Sequence, residues 1–138
     1  NYSIVKQLHA KIAGDPSLIN RCIISSFNIL IMCHCKFLFH RNALGLIICS
    51  KRAFGGFTNI INKILVMVLN PRFLHLSKAF LDNNMIQWGR SRKMFIHLYT
   101  INTKDILEKC IANQIDGVFT DNHRFYSSLD SEKHSNHQ

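Results

Sequence analysis

The sequence predicts an α/β fold, with parallel strands covered by helices. Short and almost wholly apolar runs alternate along the chain with segments long enough to form helices. Uniformly apolar strands are typical of parallel sheets that carry helices on their faces. With 138 residues, of which 47% are hydrophobic and 18% charged, the chain is the size of one domain with a buried core. Because no glycine-rich nucleotide loop follows any of the runs, a Rossmann arrangement is not favoured.

Five strands and five helices are predicted. The strands are apolar runs bounded by polar or turn residues, at 22–27, 43–49, 64–69, 94–100 and 115–120. The helices are predicted at 4–12, 28–39, 58–63, 74–88 and 103–112. The third strand is the apolar run 64–69, and Asn70-Pro71 ends it. The last helix is assigned from Thr103 as its N-cap and Asp105 near its positive end. We expect residues 1–124 to form the folded part and the polar residues 125–138 to be a disordered tail.

The charge balance is strongly basic and predicts an anionic partner. Seventeen Lys and Arg face eight Asp and Glu, which gives a net charge of +9. Phosphate esters, a lipid surface and nucleic acid all fit this charge. The cations are scattered from Lys6 to Lys133, with one modest cluster at Arg90, Arg92 and Lys93. A nucleic-acid interface is usually clustered, so we expect no nucleic-acid partner.

The five cysteines indicate reduced thiols. Their number is odd, several lie within apolar runs, and no second Cys/His pair accompanies Cys33-His34-Cys35 at zinc-site spacing. No signal peptide is visible from Asn1 onward, and polar residues interrupt the longest apolar region, 22–39, so no transmembrane segment is expected. Together these features favour the cytoplasm.

Two motifs separated by a helix resemble a known family. Residues 95–102 read Phe-Ile-His-Leu-Tyr-Thr-Ile-Asn, and residues 115–121 read Ile-Asp-Gly-Val-Phe-Thr-Asp. They are similar to the end of the glycerophosphodiester phosphodiesterase family, where a strand ending Trp-Thr-Val-Asn precedes a helix and Val-Asp-Gly-Ile-Ile-Thr-Asp. Upstream, the Ser-Ser-Phe-Asn of 25–28, the Gly-Leu of 45–46 and Asn70-Pro71 resemble further family segments in the same order. The resemblance spans residues 4–124.

The resemblance implies a partial TIM-like (β/α) barrel made of about the last five strand–helix units. It also implies the parent chemistry, which is metal-dependent hydrolysis of glycerophosphodiesters to glycerol 3-phosphate and an alcohol, a step of lipid metabolism. The complete enzyme would use a divalent metal, Mg or Ca. In such barrels the reacting groups lie at the C-terminal ends of the strands.

The resemblance also implies residue roles at those strand ends. Phe27 and Tyr99 would line the substrate pocket and pack on the glycerol moiety, although ordinary barrel packing explains them equally well. Tyr99 replaces the usual Trp of the family. The predicted rim and structural residues are Ser26, Thr100, Asn102, Thr120 and Asp121.

Four residues carry expectations of their own. The Asp121 carboxylate is expected to fix the rim loop by accepting backbone hydrogen bonds. His97 shares a strand face with Tyr99; it is interpreted as an interior histidine, with a general-base role as the alternative. Lys93 and Gln114 stand where the family places glycine, so they lose backbone freedom at helix ends.

The catalytic motifs of the family are absent. Neither His-Arg-Gly, Glu-x-Asp nor Glu-x-Lys occurs, and the chain begins at a point that corresponds to the helix after the Glu-x-Lys strand. Asp116 and Asp121 flank one strand and would stand about 16 Å apart, too far to share a metal. We therefore predict no catalytic residue and no metal ligand, and an inactive fragment whose exposed sheet edges make it poorly soluble unless a missing N-terminal half or self-association covers them.

Two other functions stay open. The chain could be a non-catalytic basic remnant that binds phosphate esters or anionic surfaces through its excess of cations. It could also be a nucleic-acid-binding module whose resemblance to the phosphodiesterases is accidental, which strongly salt-dependent binding would reveal.

Overall fold

The computed structural model describes residues 2–39, 44–49 and 57–122. Five helices and five strands alternate in this part of the chain, with two short 3₁₀ turns at Pro16–Asn20 and Lys78–Phe80. The helices are α1 (Tyr2–Gly14), α2 (Ile29–Leu38), α3 (Phe57–Leu69), α4 (Asn84–Ser91) and α5 (Lys104–Ala112). The strands are β1 (Ile24–Ser26), β2 (Leu44–Ile48), β3 (Phe73–Ser77), β4 (Phe95–Tyr99) and β5 (Gly117–Val118). The predicted tail at 125–138 lies outside the described residues.

The five strands form one parallel sheet in the order β1-β2-β3-β4-β5. Each strand pairs with the next one in the chain, and parallel crossovers are right-handed in nearly all proteins. Since the order never reverses, successive crossover helices lie on the same face of the sheet, as in a (β/α) barrel. The predicted α/β fold and partial barrel are confirmed, and the sheet is open.

The hydrophobic core lies between the sheet and its helices. Alternate residues of β3 and β4 point toward this layer, and Leu74, Leu76, Ile96 and Leu98 are all 0% exposed. Gly89 of α4 packs closely here, because a Cβ at this position would lie 2.8 Å from the Cδ1 atom of Ile96. This contact brings helix α4 directly onto the centre of the sheet.

The predicted third strand and fourth helix are wrong in position. Residues 64–69 are the second half of α3, and β3 occupies Phe73–Ser77, where a helix was predicted. A uniformly apolar run of this length does not distinguish strand from helix by periodicity. Asn70, with a φ of 46°, and Pro71 end a helix here rather than a strand. In β3, Phe73 and His75 alternate with Leu74 and Leu76, and this alternation of side chains is typical of a strand.

The residues that follow α4 and α5 have left-handed backbone conformations. They are Lys93 and Gln114, which stand where the resembled family has glycine. Lys93 has a φ of 59° and Gln114 a φ of 53°, in the region where glycine is favoured because it has no Cβ. At the other end of α5, Thr103 takes the predicted N-cap position but makes no side-chain capping hydrogen bond. No helix in the described ranges has both the length and the apolar character needed to cross a bilayer.

Candidate functional site

The C-terminal ends of the strands meet at one edge of the sheet. Phe27 follows β1, Cys49 follows β2, Ser77 ends β3, Tyr99 ends β4, and Thr120 lies just beyond β5. Parallel strands necessarily collect their carboxyl ends at the same edge, which is where barrel enzymes place their reacting groups. The residues predicted for the site therefore come from distant parts of the chain to one rim.

Phe27 and Tyr99 are brought together at this rim. Their ring centroids lie 6.2 Å apart, and the rings are nearly perpendicular at 88°. Two other strands lie between β1 and β4. In a flat sheet, the distance between β1 and β4 would be about 14 Å. The contact therefore crosses β2 and β3 on the side to which the sheet curls. Phe27 is 64% exposed, so one face of this aromatic pair is open to a ligand.

The Tyr99 phenol is held as a neutral hydrogen-bond donor. Its O–H donates to the backbone carbonyl of Ile48 at 2.8 Å. Burial, with a smaller contribution from the neighbouring Cys49 thiol, raises the pKa of Tyr99 to about 12. A tyrosine in this state fixes the ring against strand β2 and does not act as a base near neutral pH.

The rim loops are fastened by Asn102. Its Oδ1 accepts a hydrogen bond from the Thr120 hydroxyl at 2.8 Å and another from the Asp121 backbone N–H at 3.2 Å. The Asn122 N–H in turn donates to Thr120 Oγ1 at 3.1 Å. Asp121 thus contributes its backbone N–H, from which the Asn102 side chain accepts a hydrogen bond. The structure brings the predicted residues Asn102, Thr120 and Asp121 into one network.

Ser26 and Thr100 take other positions on the rim. The Ser26 hydroxyl accepts from the N–H of Asn28 at 3.0 Å, and Asn28 caps α2 by accepting from the N–H groups of Leu30 and Ile31. Ser26 therefore sets the turn that displays Phe27. Thr100 is half-buried and is joined to Tyr99 by a cis peptide bond.

A stacked pair of histidines lies below the rim on the face away from the helices. His75 and His97 are in register on β3 and β4, and their ring centroids are 5.1 Å apart at an angle of 21°. Phe73 and Phe119 contact both rings. His75 is 2% exposed, and its Nε2 atom has no hydrogen-bond partner within the described part of the chain.

Both histidines are held neutral. Burial and the neighbouring His97 lower the pKa of His75 to about 4. Burial also lowers the pKa of His97, although the Asp116 carboxylate opposes this shift. No local spacing in the sequence places a carboxylate near His97, because only the register of β4 against β5 brings Asp116 there. Asp116 itself accepts a hydrogen bond from the N–H of Ile96 at 2.7 Å, which favours a structural role.

These residues do not form a divalent-metal site. No group of three His, Cys, Asp or Glu side chains is close enough to hold a metal ion among the described residues. The Nε2 atoms of His75 and His97 lie against different glycines, Gly45 and Gly117, on opposite sides of the pair. Mg²⁺ and Ca²⁺ prefer several oxygen ligands, and the described rim does not gather carboxylates.

A cleft of about 400 Å³ lies at the opposite edge of the sheet. It is lined by Arg90, Lys93, Met94, Phe95, Gln114 and Asp116. The Arg90 guanidinium donates to the carbonyl groups of Asn113 and Gln114, so this cation closes the end of α5. The N-terminal edge of a barrel contributes to stability rather than to catalysis, and the cleft is separate from the rim.

Comparisons with known proteins support the fold. No protein-family profile matches the chain, and no curated protein sequence matches it. A phosphodiesterase from Oleispira antarctica, solved in complex with sn-glycerol-3-phosphate, is similar with a TM-score of 0.60 and 22% identity over 78% of this chain and 41% of that chain. A protein from Silicibacter pomeroyi, described as a glycerophosphoryl diester phosphodiesterase, is similar with a TM-score of 0.57 and 11% identity over 78% of this chain and 38% of that chain.

Both of these solved structures are described as phosphodiesterases, and the motifs at 95–102 and 115–121 resemble the glycerophosphodiester phosphodiesterase family. The resemblance is confirmed at the level of the fold. The chain spans about two fifths of the length of these structures.

Proposed function

We propose that this chain corresponds to the C-terminal part of a glycerophosphodiester phosphodiesterase barrel and supplies part of its substrate-contacting rim. The observation that carries the proposal is the perpendicular pair of Phe27 and Tyr99 at the carboxyl ends of the strands. An exposed aromatic edge suits the carbon skeleton of a glycerol moiety, which offers C–H groups between its oxygens. The shared fold supports the same substrate class.

The chain would not carry out the hydrolysis by itself. Cleavage of a phosphodiester needs positive charge against the phosphoryl oxygens, a base for the attacking oxygen and an acid for the leaving oxygen. The pKa of Tyr99 is raised to about 12 and the pKa of His75 is lowered to about 4, so Tyr99 is a weak acid and His75 a weak base, and the Asp116 carboxylate accepts a hydrogen bond from the backbone of β4. In the complete enzyme these tasks, including the binding of Mg or Ca, would fall to residues outside this set, and this chain alone would bind no metal.

The binding part of the proposal can be tested with glycerol 3-phosphate. We would titrate it into the isotope-labelled chain and follow the aromatic signals of Phe27 and Tyr99 by NMR. We expect the signals of both rings to shift in the wild-type chain, and the shift of the Tyr99 signals to be lost in Phe27→Ala. Phe37→Ala is the matched control, since Phe37 is an exposed phenylalanine on the outer surface of α2.

Two results would count against this assignment. One is the absence of any shift at Phe27 and Tyr99 while the chain is folded. The other is a shift that survives in Phe27→Ala and vanishes in Phe37→Ala, which would place the binding site on the helical surface.

The alternative function, a non-catalytic basic protein that binds phosphate esters or anionic surfaces, is favoured by one observation. The sequence holds eight Lys and Arg residues and no Asp or Glu between positions 16 and 81. The titration with glycerol 3-phosphate distinguishes the two functions. Attraction of the phosphate to scattered cations would not shift the signals of Phe27 and Tyr99 selectively.

A further inference from the structure

Helix α3 is apolar on both of its sides. Val66 and Leu69 are buried in the core. On the opposite side a second apolar stripe is between 47% and 55% exposed, and it consists of Ile60, Ile61, Ile64, Met67 and Val68. The spacing of these five residues is that of one continuous helical face. The outward side of a helix in a globular protein is normally polar. A contiguous exposed apolar stripe of this kind marks an interaction site.

The neighbouring helix α2 extends the apolar surface. Leu30 and Phe37 lie seven residues apart, on the same face of α2, and both are strongly exposed, Phe37 at 85%. The Lys36 side chain donates to the carbonyl of Val68, which joins the end of α2 to the end of α3. We call the five residues of the α3 stripe, together with Leu30 and Phe37, the α2–α3 surface.

Further barrel units would not cover this surface. Helix α3 connects β2 to β3, so it lies in the middle of the helical layer. Strands added to an open sheet join at its free edges, which are β1 and β5. The outward side of α3 would therefore still face outward in a complete barrel.

The charge around the surface is of one sign. Lys36 and Lys63 flank the stripe, and Lys63 lies over the ring of Trp88 at 5.5 Å. No acidic residue occurs from position 16 to position 81, a range that includes all of α2 and α3. Helix α5 provides the contrast, since its single exposed isoleucine, Ile111, is accompanied by Asp105 and Glu108.

We propose that the α2–α3 surface docks on an anionic lipid bilayer. The isoleucine, valine, methionine and phenylalanine side chains would enter the boundary between headgroups and acyl chains, and Lys36 and Lys63 would pair with lipid phosphates. A second copy of the chain is a poorer occupant, because both halves of a two-fold contact would carry lysines, and α2 and α3 hold no acidic residue to pair with them. The proposal goes beyond the phosphodiesterase assignment and does not depend on it.

The test is co-sedimentation of the full 138-residue chain with vesicles. One set contains phosphatidylcholine alone, and the other contains phosphatidylcholine with phosphatidylglycerol. The variant is Ile64→Glu, at the centre of the stripe. The controls are Ile111→Glu, an exposed isoleucine on α5, and Phe119→Glu, an exposed ring on the other face of the sheet. Circular dichroism melting of each variant verifies that it is folded.

We expect the wild-type chain to bind the anionic vesicles and to bind neutral ones at least about tenfold more weakly, since the attraction includes charge. Ile64→Glu should weaken binding by about tenfold or more, and the two controls should bind like the wild type. Equal binding to neutral and anionic vesicles would overturn the proposal. So would a loss in Phe119→Glu without a loss in folded Ile64→Glu, or self-association abolished by Ile64→Glu in the absence of vesicle binding.

Discussion

The two faces of the sheet are built from different kinds of side chain, although they alternate along the same strands. The face under the helices is aliphatic and fully buried, with Leu74 and Leu76 of β3 beside Ile96 and Leu98 of β4. The other face carries rings and glycines: Phe73, His75, Phe95, His97 and Phe119, with Gly45 and Gly117.

This difference separates a fully buried layer from a partly exposed one. The aliphatic face is closed by helices, and its residues have no contact with water. On the ring face, Phe95 and Phe119 are exposed in the described part of the chain. In a closed barrel the same face would point inward, where the strands on the far side would cover it. The stability of this chain should therefore depend mainly on the helical face.

The largest expected effect is the loss of a core side chain on the helical face. Ile96→Ala should lower the free energy of unfolding by about 2–5 kcal/mol, because it removes a fully buried side chain and leaves a cavity. Phe119→Ala, on the exposed ring face, should cost less than about 1 kcal/mol. Urea denaturation of both variants measures the two values. Equal losses would mean that both faces are equally closed.

A smaller effect is expected where glycine makes room for an imidazole. A Cβ at Gly45 would lie 3.0 Å from His75 Nε2 and 3.1 Å from a methyl group of Ile23. Gly45→Ala should therefore destabilise the chain by about 1–3 kcal/mol. Gly14→Ala is the matched control, since no atom lies within 4 Å of a Cβ built there; it should be neutral or slightly stabilising. A neutral Gly45→Ala would show that the histidine pair is loosely packed.

Lowering the pH should destabilise the folded chain through His75, which lies on the ring face of the sheet. The pKa of His75 is lowered from 6.5 to about 4 in the folded chain by burial and by His97. As the pH falls below 6.5, His75 therefore takes up a proton in the unfolded state before it does so in the folded state. The free energy of unfolding should be highest above pH 6.5 and should fall as the pH is lowered from 6.5 toward 4. Thermal melting across this range should show the decline. His75→Leu should show a shallower decline, and an unchanged slope in this variant would assign the acid sensitivity to other groups.

The smallest expected effect is at the helix ends. Lys93→Gly and Gln114→Gly should each stabilise the chain by up to about 1 kcal/mol, because both positions hold a positive φ that glycine adopts without strain. Ala112→Gly, within the last turn of α5, should instead cost about 1 kcal/mol. Melting temperatures of the three variants provide the comparison, and destabilisation by Lys93→Gly would contradict this account of the helix end.

The sequence predicted the strand ends better than the packing between strands. Tyr99, Asn102 and Thr120 could be placed at one rim because each lies at the end of an apolar run or just after it, and parallel strands end at the same edge. His75 was missed because the run before Pro71 was interpreted as the strand. The approach of Asp116 to His97 and of Cys49 to Tyr99 depends on strand register and on the curl of the sheet, and neither is encoded in local spacing.

The most direct test of the account is turnover. Purified 138-residue chain would be incubated with glycerophosphocholine, with and without Mg²⁺ or Ca²⁺, and the release of glycerol 3-phosphate would be measured. The account predicts no release under any of these conditions, because the described rim offers aromatic contact without a metal site or an acid–base pair. Metal-dependent release that a chelator abolishes would contradict it, since the catalytic groups would then be present in this chain.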